Sequence, residues 1–271
     1  MSLSEESPGS GSPSPRARVL NEERRRTILE IINHEGRVLV QDLGTRLETS
    51  QVTIRKDLEV LHSRGLVHRT HGGALPVRDG ALLDPSLTEK ERLHRKEKQR
   101  IAIAAAGLVQ DGHSIVLDSG STTGLIAREL RNHRRLTVIT NSVRIAAELA
   151  RTEVEVIMTG GVLRRNSYSL VGPLAEESLK HLSADLLFLG VDGFDVHFGL
   201  TTPNMLEAQV NRVMIEVSRR TVVVCDSSKF GRRSLSLIAS SSAVHHTITD
   251  NRIPKTDEKV LQDLGIEVTV V

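Results

Sequence analysis

The sequence predicts an α/β protein in two parts, a small unit of three helices with a two-stranded wing and a larger unit built on a mainly parallel sheet. Three observations predict it. Two short amphipathic helical patterns, around Val40-Leu43-Leu47 and Ile54-Leu58-Leu61, are separated only by the Glu48-Thr49 turn. A strand, tight turn and strand follow at once in Leu66-Val67-His68-Arg69, Thr70-His71-Gly72-Gly73 and Ala74-Leu75. From Ile115 to Val271 apolar strands alternate with helical patterns, as in a parallel sheet covered on both faces.

The opening MSLSEESPGSGSPSPRAR is rich in Ser, Pro and Gly and has no apolar segment. Residues 1–18 are therefore expected to be a disordered tail rather than a signal peptide. Asn21 is a candidate cap for the first helix, whose apolar face is Ile28, Ile31 and Ile32 and whose Arg24-Arg25-Arg26 run reads as solvated, with phosphate contact as the alternative. Gly44 lies inside the second helix, where it costs about 1 kcal/mol against alanine, and close packing is the one reason the sequence offers for it. The third helix has the clearest bounds. Ser50 can accept from a free backbone N–H at its start and Gly65 suits the left-handed position after its end. Its apolar stripe leaves Val52 and Lys56 on the far side, flanked by Thr53 and Arg55.

Two helices so closely joined are the helix-turn-helix signature, in which the second helix enters the major groove and the first crosses the backbone. Ser50, Gln51, Thr53, Arg55 and Lys56 are thus the expected DNA-facing residues, with Arg69 and His71 of the wing on phosphate. A small bundle with a solvated basic face is the plain alternative. Residues 16–75 carry 11 Lys and Arg against 8 Asp and Glu, so position on the helix carries the reading and net charge adds little.

Residues 19–76 form the predicted winged unit, 77–94 a linker and the start of a connecting helix, and 95–271 the second domain. Pro76 ends the wing, and Arg78-Asp79-Gly80 and Asp84-Pro85 are turn signals. Leu87 to Val109 reads as one long helix, charged at first and apolar later. In open parallel sheets ligands bind beyond the carboxyl ends of the strands, which directs attention to the strand-to-helix turns. Asp118-Ser119-Gly120-Ser121-Thr122-Thr123 combines a tight turn, hydroxyls and a helix start, features that favour an anion, although the glycine spacing is neither that of a Walker loop nor that of a dinucleotide fingerprint. The plain reading is that Thr122 merely caps the helix. Thr140-Asn141-Ser142 repeats the geometry and could add donors or simply cap. Arg164 and Arg165 follow the Gly160-Gly161 pair and could bind ligand or a neighbouring subunit, and Asp192 sits where a carboxylate could accept from sugar hydroxyls. Thr201-Thr202-Pro203 is expected to start a helix with Glu207 one turn in, and Lys229 after Asp226-Ser227-Ser228 is a natural partner for a phosphate.

The 36 basic and 34 acidic side chains nearly cancel, so net charge argues for neither nucleic acid nor membrane. With no Trp and one Tyr the cores must be aliphatic, and the stacking platforms of RNA binders are missing. Cys225 is the one cysteine, which excludes an internal disulfide and disfavours a cysteine zinc site. No apolar run approaches 18 residues, so a soluble, cytoplasmic protein with no membrane partner is expected.

The run VTIRKDLEVLHSRGLVHRTHGGAL resembles the DNA-binding signature of the DeoR-type bacterial repressors of sugar metabolism, and LDSGSTT, MTGGVLRR, LFLGVDG, EAQVNRVM and VVVCDSSKF are similar to that family's effector domain. The likeness spans residues 22–271 and looks closest to the branch that controls amino-sugar use, N-acetylgalactosamine and its relatives. It implies an effector domain similar in fold to ribose-5-phosphate isomerase. By motif, Asp118, Ser119, Gly120, Ser121 and Thr122 would be the phosphosugar loop, Asp192 the polyol-binding acid, Glu207 the position near the isomerase base and Lys229 the lysine near the ligand. The expectation is a repressor that binds double-stranded operator DNA, is released by a phosphorylated sugar, needs no cofactor or metal, and acts as a homo-oligomer, dimer or tetramer, because one helix reads few base pairs. A sugar-phosphate isomerase-like enzyme with an appended interaction module is the alternative.

Overall fold

The helical spacing of Ile28 and Ile32, of Val40 and Leu43, and of Ile54, Leu58 and Leu61 brings all seven side chains into one buried core. The structure, a computed structural model, describes residues 15–35, 38–63, 66–70, 72–76 and 84–271, and the chain divides into two units, Met1–Arg78 and Asp79–Val271. In the first unit α1 (Pro15–Glu35), β1 (Val38–Leu39), α2 (Val40–Arg46), α3 (Gln51–Ser63), β2 (Val67–Thr70) and β3 (Gly73–Pro76) follow in order. The wing has three strands, in the order β1-β3-β2, because the two residues before α2 pair antiparallel with β3 as Val38 with Ala74 and Leu39 with Gly73. Gly73 permits that approach, since a Cβ there would meet the Val38 carbonyl oxygen at 2.0 Å. Gly44 has a related reason. A Cβ would stand 3.1 Å from the Thr49 carbonyl oxygen, and the Thr49 N–H closes the turn on Gly44 O at 2.9 Å.

Helix α1 starts at Pro15, not at Asn21, in keeping with proline's preference for a first turn and the good helix formers behind it. Asn21 lies inside the helix and its Oδ1 accepts from Arg24 Nη2 at 2.9 Å. Residues 15–18 of the expected tail are thus helical, and residues 1–14, Gly65 and His71 lie outside the described residues.

In the second unit seven parallel strands run in the order β15-β14-β12-β9-β4-β5-β6. These are β4 (Ser114–Leu117), β5 (Thr137–Thr140), β6 (Glu155–Met158), β9 (Ala184–Leu189), β12 (Ser218–Val224), β14 (His246–Thr249) and β15 (Glu267–Val270). Alternate residues serve two cores. Val116, Leu187, Leu189 and Val223 face one, and Ile115, Leu117, Leu186, Phe188, Val222 and Val224 face the other. The first is covered by α8 (Pro173–Lys180), α9 (Met205–Glu216) and α10 (Lys255–Asp263), and the second by α5 (Arg95–Ala106), α6 (Ser121–Glu129) and α7 (Val143–Leu149). A hairpin of β7 (Val162–Arg164) and β8 (Ser169–Val171) and a small sheet ordered β10-β11-β13, from β10 (Gly193–Asp195), β11 (Gly199–Thr202) and β13 (Ser236–Ala239), complete the unit. Cys225, directly after β12, is buried, and burial pushes its thiol well up.

The long helix expected over Leu87–Val109 is two helices, α4 (Leu87–Arg92) and α5, with Leu93 extended and His94 left-handed at φ 51°. Lys98 supplies a reason. Its ammonium is buried and donates to the Lys90 carbonyl at 2.5 Å, one of the orphan carbonyls at the end of α4. Ser86 starts α4 with a full capping box closed by Glu89. A second difference concerns Thr201 and Thr202, which lie in β11, while α9 begins at Met205 behind Asn204, whose side chain accepts from Glu207 N at 3.1 Å. Pro203 therefore precedes the cap.

Candidate DNA-reading face and ligand crevice

Helix α3 is started by Ser50, whose hydroxyl accepts from Thr53 N at 3.2 Å. Burying Ile54, Leu58 and Leu61 leaves Gln51, Val52, Arg55, Lys56 and Glu59 exposed, with Thr53 half-buried. Gln51 Oε1 accepts from Arg55 Nη2 at 3.4 Å, a loose contact that leaves most of the guanidinium's donors available. Sequence reasoning missed Asp57. It is buried on the inner side of the same helix, and its carboxylate accepts from Arg24 Nε at 2.6 Å and Arg25 Nε at 2.9 Å. Two of the three arginines read as solvated thus brace the recognition helix against α1, and Arg26, among the described residues, pairs only with Glu30 at 3.3 Å. Arg69 reaches Glu59 at 4.0 Å, which offsets the one exposed acid on the reading face.

In the second unit the strand order reverses between β4 and β9, where ligands of open α/β sheets bind. Asp118 follows β4 and Gly190 follows β9. Gly120 N donates to Asp118 Oδ1 at 3.2 Å, and a Cβ at Gly120 would press on that oxygen at 3.2 Å, whereas one at Gly190 would reach ordinary contact with Oδ2 at 3.4 Å. Burial pushes the Asp118 carboxyl up to about 7, against hydrogen bonds from Thr123 and the Gly190 and Gly120 N–H groups. Ser121, Thr122 and Thr123 form the first turn of α6, and its cap position is Gly120, with no side-chain cap. Free N–H groups therefore face the crevice. Thr123 Oγ1 is in contact with the carbonyls of Asp118 and Gly120, both at 2.9 Å.

Asp192 is half-buried on the same rim. Its Oδ2 accepts from Thr202 Oγ1 at 3.3 Å and its Oδ1 is paired with Lys90 Nζ at 2.6 Å. Burial would raise the Asp192 carboxyl, but Lys90 and Lys229 outweigh it and hold it below the usual carboxylate range. Glu207 is buried, and its Oε1 accepts from Ser169 Oγ at 2.8 Å and Arg164 Nη1 at 2.9 Å. Arg164 also pairs with Asp84, and Asn166 Nδ2 donates to Asp84 O at 2.8 Å. Lys229 ends a 3₁₀ turn that starts behind the Asp226 cap, and it is half-buried. Thr140 and Asn141 are committed to the fold. Thr140 Oγ1 donates to Leu117 O at 2.7 Å and Asn141 Nδ2 to Leu170 O at 3.2 Å, while Asn141 Oδ1 is buried without a partner.

Lys90 and Lys98 thus join the crevice's surroundings although the sequence marked neither, and Arg164, a candidate contact for ligand or a neighbouring subunit, is held by Glu207 and Asp84. The lysines were hidden because a charged first half of a helix reads as a solvated face. Among the described residues no group of three His, Cys, Asp or Glu is placed to hold a metal, and no helix is long and apolar enough to cross a membrane.

Residues 24–78 match the DeoR-like helix-turn-helix domain and residues 93–251 the DeoR C-terminal sensor domain. A relative in Escherichia coli O157:H7 named for repression of the aga operon is 42% identical over 252 residues, 92% of this chain and 93% of its own. The transcriptional regulator GlpR of Haloferax volcanii is 38% identical, covering 92% and 98%, and the glycerol-3-phosphate regulon repressor of Escherichia coli K12 is 30% identical, covering 91% and 97%. Among solved structures, ribose 5-phosphate isomerase A of Methanocaldococcus jannaschii aligns with a TM-score of 0.38 at 23% identity, over 50% of this chain and 54% of that one. With both domains in order and relatives of this identity along nearly its whole length, the chain belongs to the DeoR family of DNA-binding transcriptional regulators.

Proposed function

We propose that the protein represses a sugar or amino-sugar catabolic operon and is released from its operator by a phosphorylated sugar. The observation that carries this reading is the switch-point crevice, where the uncapped first turn of α6 offers an anion its N–H groups and Asp192 offers hydroxyls a carboxylate on the same rim. The phosphate meets Ser119–Thr123 with Lys229 nearby, the sugar hydroxyls meet Asp192, and Asp118, Thr140, Asn141 and Glu207 shape the pocket. Relatives named for repression of the aga operon and of the glycerol-3-phosphate regulon support both the repression and the phosphate ester. Arg55 and Lys56 read or grip the operator from α3, with Ser50, Gln51 and Thr53 at its start and Arg69 and His71 on phosphate. A homo-oligomer, dimer or tetramer, places two such helices on repeated half-sites. The protein works in the cytoplasm, beside its DNA. Glu207, the position expected near an isomerase base, is tied to Arg164 and Ser169, which suits a sensor better than a catalyst.

The test is fluorescence anisotropy of the full chain on DNA from upstream of its own operon, titrated with hexose, pentose and amino-sugar phosphates and with the free sugars. Release by one phosphate ester, with its free sugar inactive, is expected. Release by the free sugar at the same concentration would overturn the reading.

A further inference from the structure

A cavity of about 270 Å³ opens between α4, α5, α6 and α7 of the second unit, and Ser121 and Gly124 of the phosphate turn's helix form part of its wall. That size is near the lower end for small-molecule pockets, about 300–1,000 Å³, and suits a monosaccharide phosphate. Its charged wall is unbalanced. Glu91 pairs with Arg144 at 2.9 Å and Glu148 with Arg128 at 3.4 Å, so two of the five cations are answered. Arg92, Arg95 and Lys98 have no ion-pair partner among the described residues. Arg92 and Arg95 are exposed. Lys98 is different, because it is only 4% exposed and, among the described residues, the sole hydrogen bond of its ammonium is to the neutral Lys90 carbonyl.

A buried ammonium without a counter-charge is costly, and native chains normally pair it. The groups around it divide by sign, Asp226 and Asp192 favouring its charge while Lys229 and Lys90 oppose it, and desolvation dominates, lowering its pKa to about 8. Here the missing counter-charge has a place to arrive, since the same lysine lines a cavity whose other wall is a helix start.

We propose that Lys98 is the charge partner of the ligand's phosphate, which enters this cavity past Arg92 and Arg95 and is held between the Lys98 ammonium and the first turn of α6. This rests on the phosphorylated-sugar reading and moves the principal phosphate contact from Lys229 to the α4–α5 side of the crevice. Lys229 then remains beside Asp192 and the sugar.

The experiment uses the full chain and inorganic phosphate as probe, at constant ionic strength against chloride, read by thermal shift and by calorimetry at pH 7. Wild type is expected to be stabilised by phosphate. Lys98→Met, which keeps the packed stem and removes the charge, is expected to lose at least tenfold in phosphate affinity while its unliganded melting temperature is unchanged or higher. Should Lys98→Met fail to fold, Arg92→Ala/Arg95→Ala, confined to exposed side chains, is expected to weaken phosphate severalfold with an unchanged melting temperature. No phosphate response in wild type, or an equal response in the variants, overturns the assignment. If phosphate binds through Lys98 but no sugar phosphate releases operator DNA, the proposed function fails and this site stands. Release by a sugar phosphate that is the same in wild type and Lys98→Met keeps the function and removes Lys98 from it.

Discussion

The Lys90–Asp192 pair separates two roles that one pocket residue could have, and replacing each partner in turn should move stability together and ligand affinity apart. Lys90 Nζ and Asp192 Oδ1 stand 2.6 Å apart with side chains 18% and 17% exposed. Burial would lower the Lys90 pKa, yet Asp192 raises it overall, so the charged pair is the state the fold holds. Removing one partner of a fully buried pair costs about 3–5 kcal/mol. Residual exposure here, and Lys229 close to Asp192, reduce the expectation to about 2 kcal/mol for Lys90→Met and for Asp192→Asn. The ligand's hydroxyls must take Asp192 from Lys90. If breaking the pair costs the ligand about 2 kcal/mol, Lys90→Met should tighten the phosphorylated sugar by up to about 30-fold, because 1.4 kcal/mol is a factor of ten. Asp192→Asn should weaken it. Urea unfolding of both single variants and the double variant gives the coupling energy, and calorimetry with the releasing sugar phosphate gives the affinities. Weaker binding in Lys90→Met would show that Lys90 contacts the ligand itself and would refute the displacement reasoning.

Asp57→Ala should cost about 2 kcal/mol by stranding Arg24 and Arg25, whose remaining exposure softens the loss, and should lower operator affinity although Asp57 is buried on the inner side of α3; unchanged affinity with lowered stability would show that α3 needs no brace. Alanine at Arg55 or Lys56 should cost about 1–3 kcal/mol of binding, with relaxed specificity at one position if the residue reads a base and a flatter salt slope if it grips phosphate; full affinity in the double variant would remove α3 from the reading role. Asp118 has a folded pKa raised to about 7 above its unfolded value near 3.9, so the folded state holds the extra proton and stability falls as pH rises from about 4 through 7. Asp118→Asn should erase that loss, which is at most about 4 kcal/mol, so urea midpoints of the two proteins would diverge between pH 4.5 and 7.5; parallel profiles would place the titration elsewhere.

The helices and strands were legible where local chemistry settles them. Ile54-Leu58-Leu61 on one side, Ser50 at the start and the turn at Glu48-Thr49 place α3 without help from the rest of the chain, and Ser50 caps as expected. The turn after β4 was legible for the same reason. What stayed hidden depends on partners distant in sequence. Asp57 looks like one more exposed acid of a helix until Arg24 and Arg25 reach it from 33 and 32 residues away. Lys98 looks like one more solvated lysine in a charged run until α4 ends against it. The break at His94 could not be read from propensity, because neither Leu93 nor His94 is a helix breaker and the left-handed residue answers to the packing of Lys98.

Lys90 and Asp84 use the same groups that the ligand is expected to use. In the structure Asp84 holds Arg164, the partner of Glu207, and Lys90 holds Asp192, while Leu87 is buried and its N–H donates to Asn166 O at 2.8 Å. The segment Asp84–Arg92 is therefore seated on the crevice by contacts of the crevice itself. In sequence this segment leads directly back to the winged unit. A ligand that takes Asp192 must loosen the seat, and a ligand can shift such an equilibrium only by its difference in affinity for the two states. By linkage, operator DNA that favours the seated state weakens the ligand by the factor by which the ligand weakens the operator, typically 5- to 150-fold. Lys90→Met, in which the seat is already loosened, should shrink that factor in both directions by the same amount. A factor that is the same in Lys90→Met as in wild type would mean that seating through the Lys90–Asp192 pair does not transmit the signal.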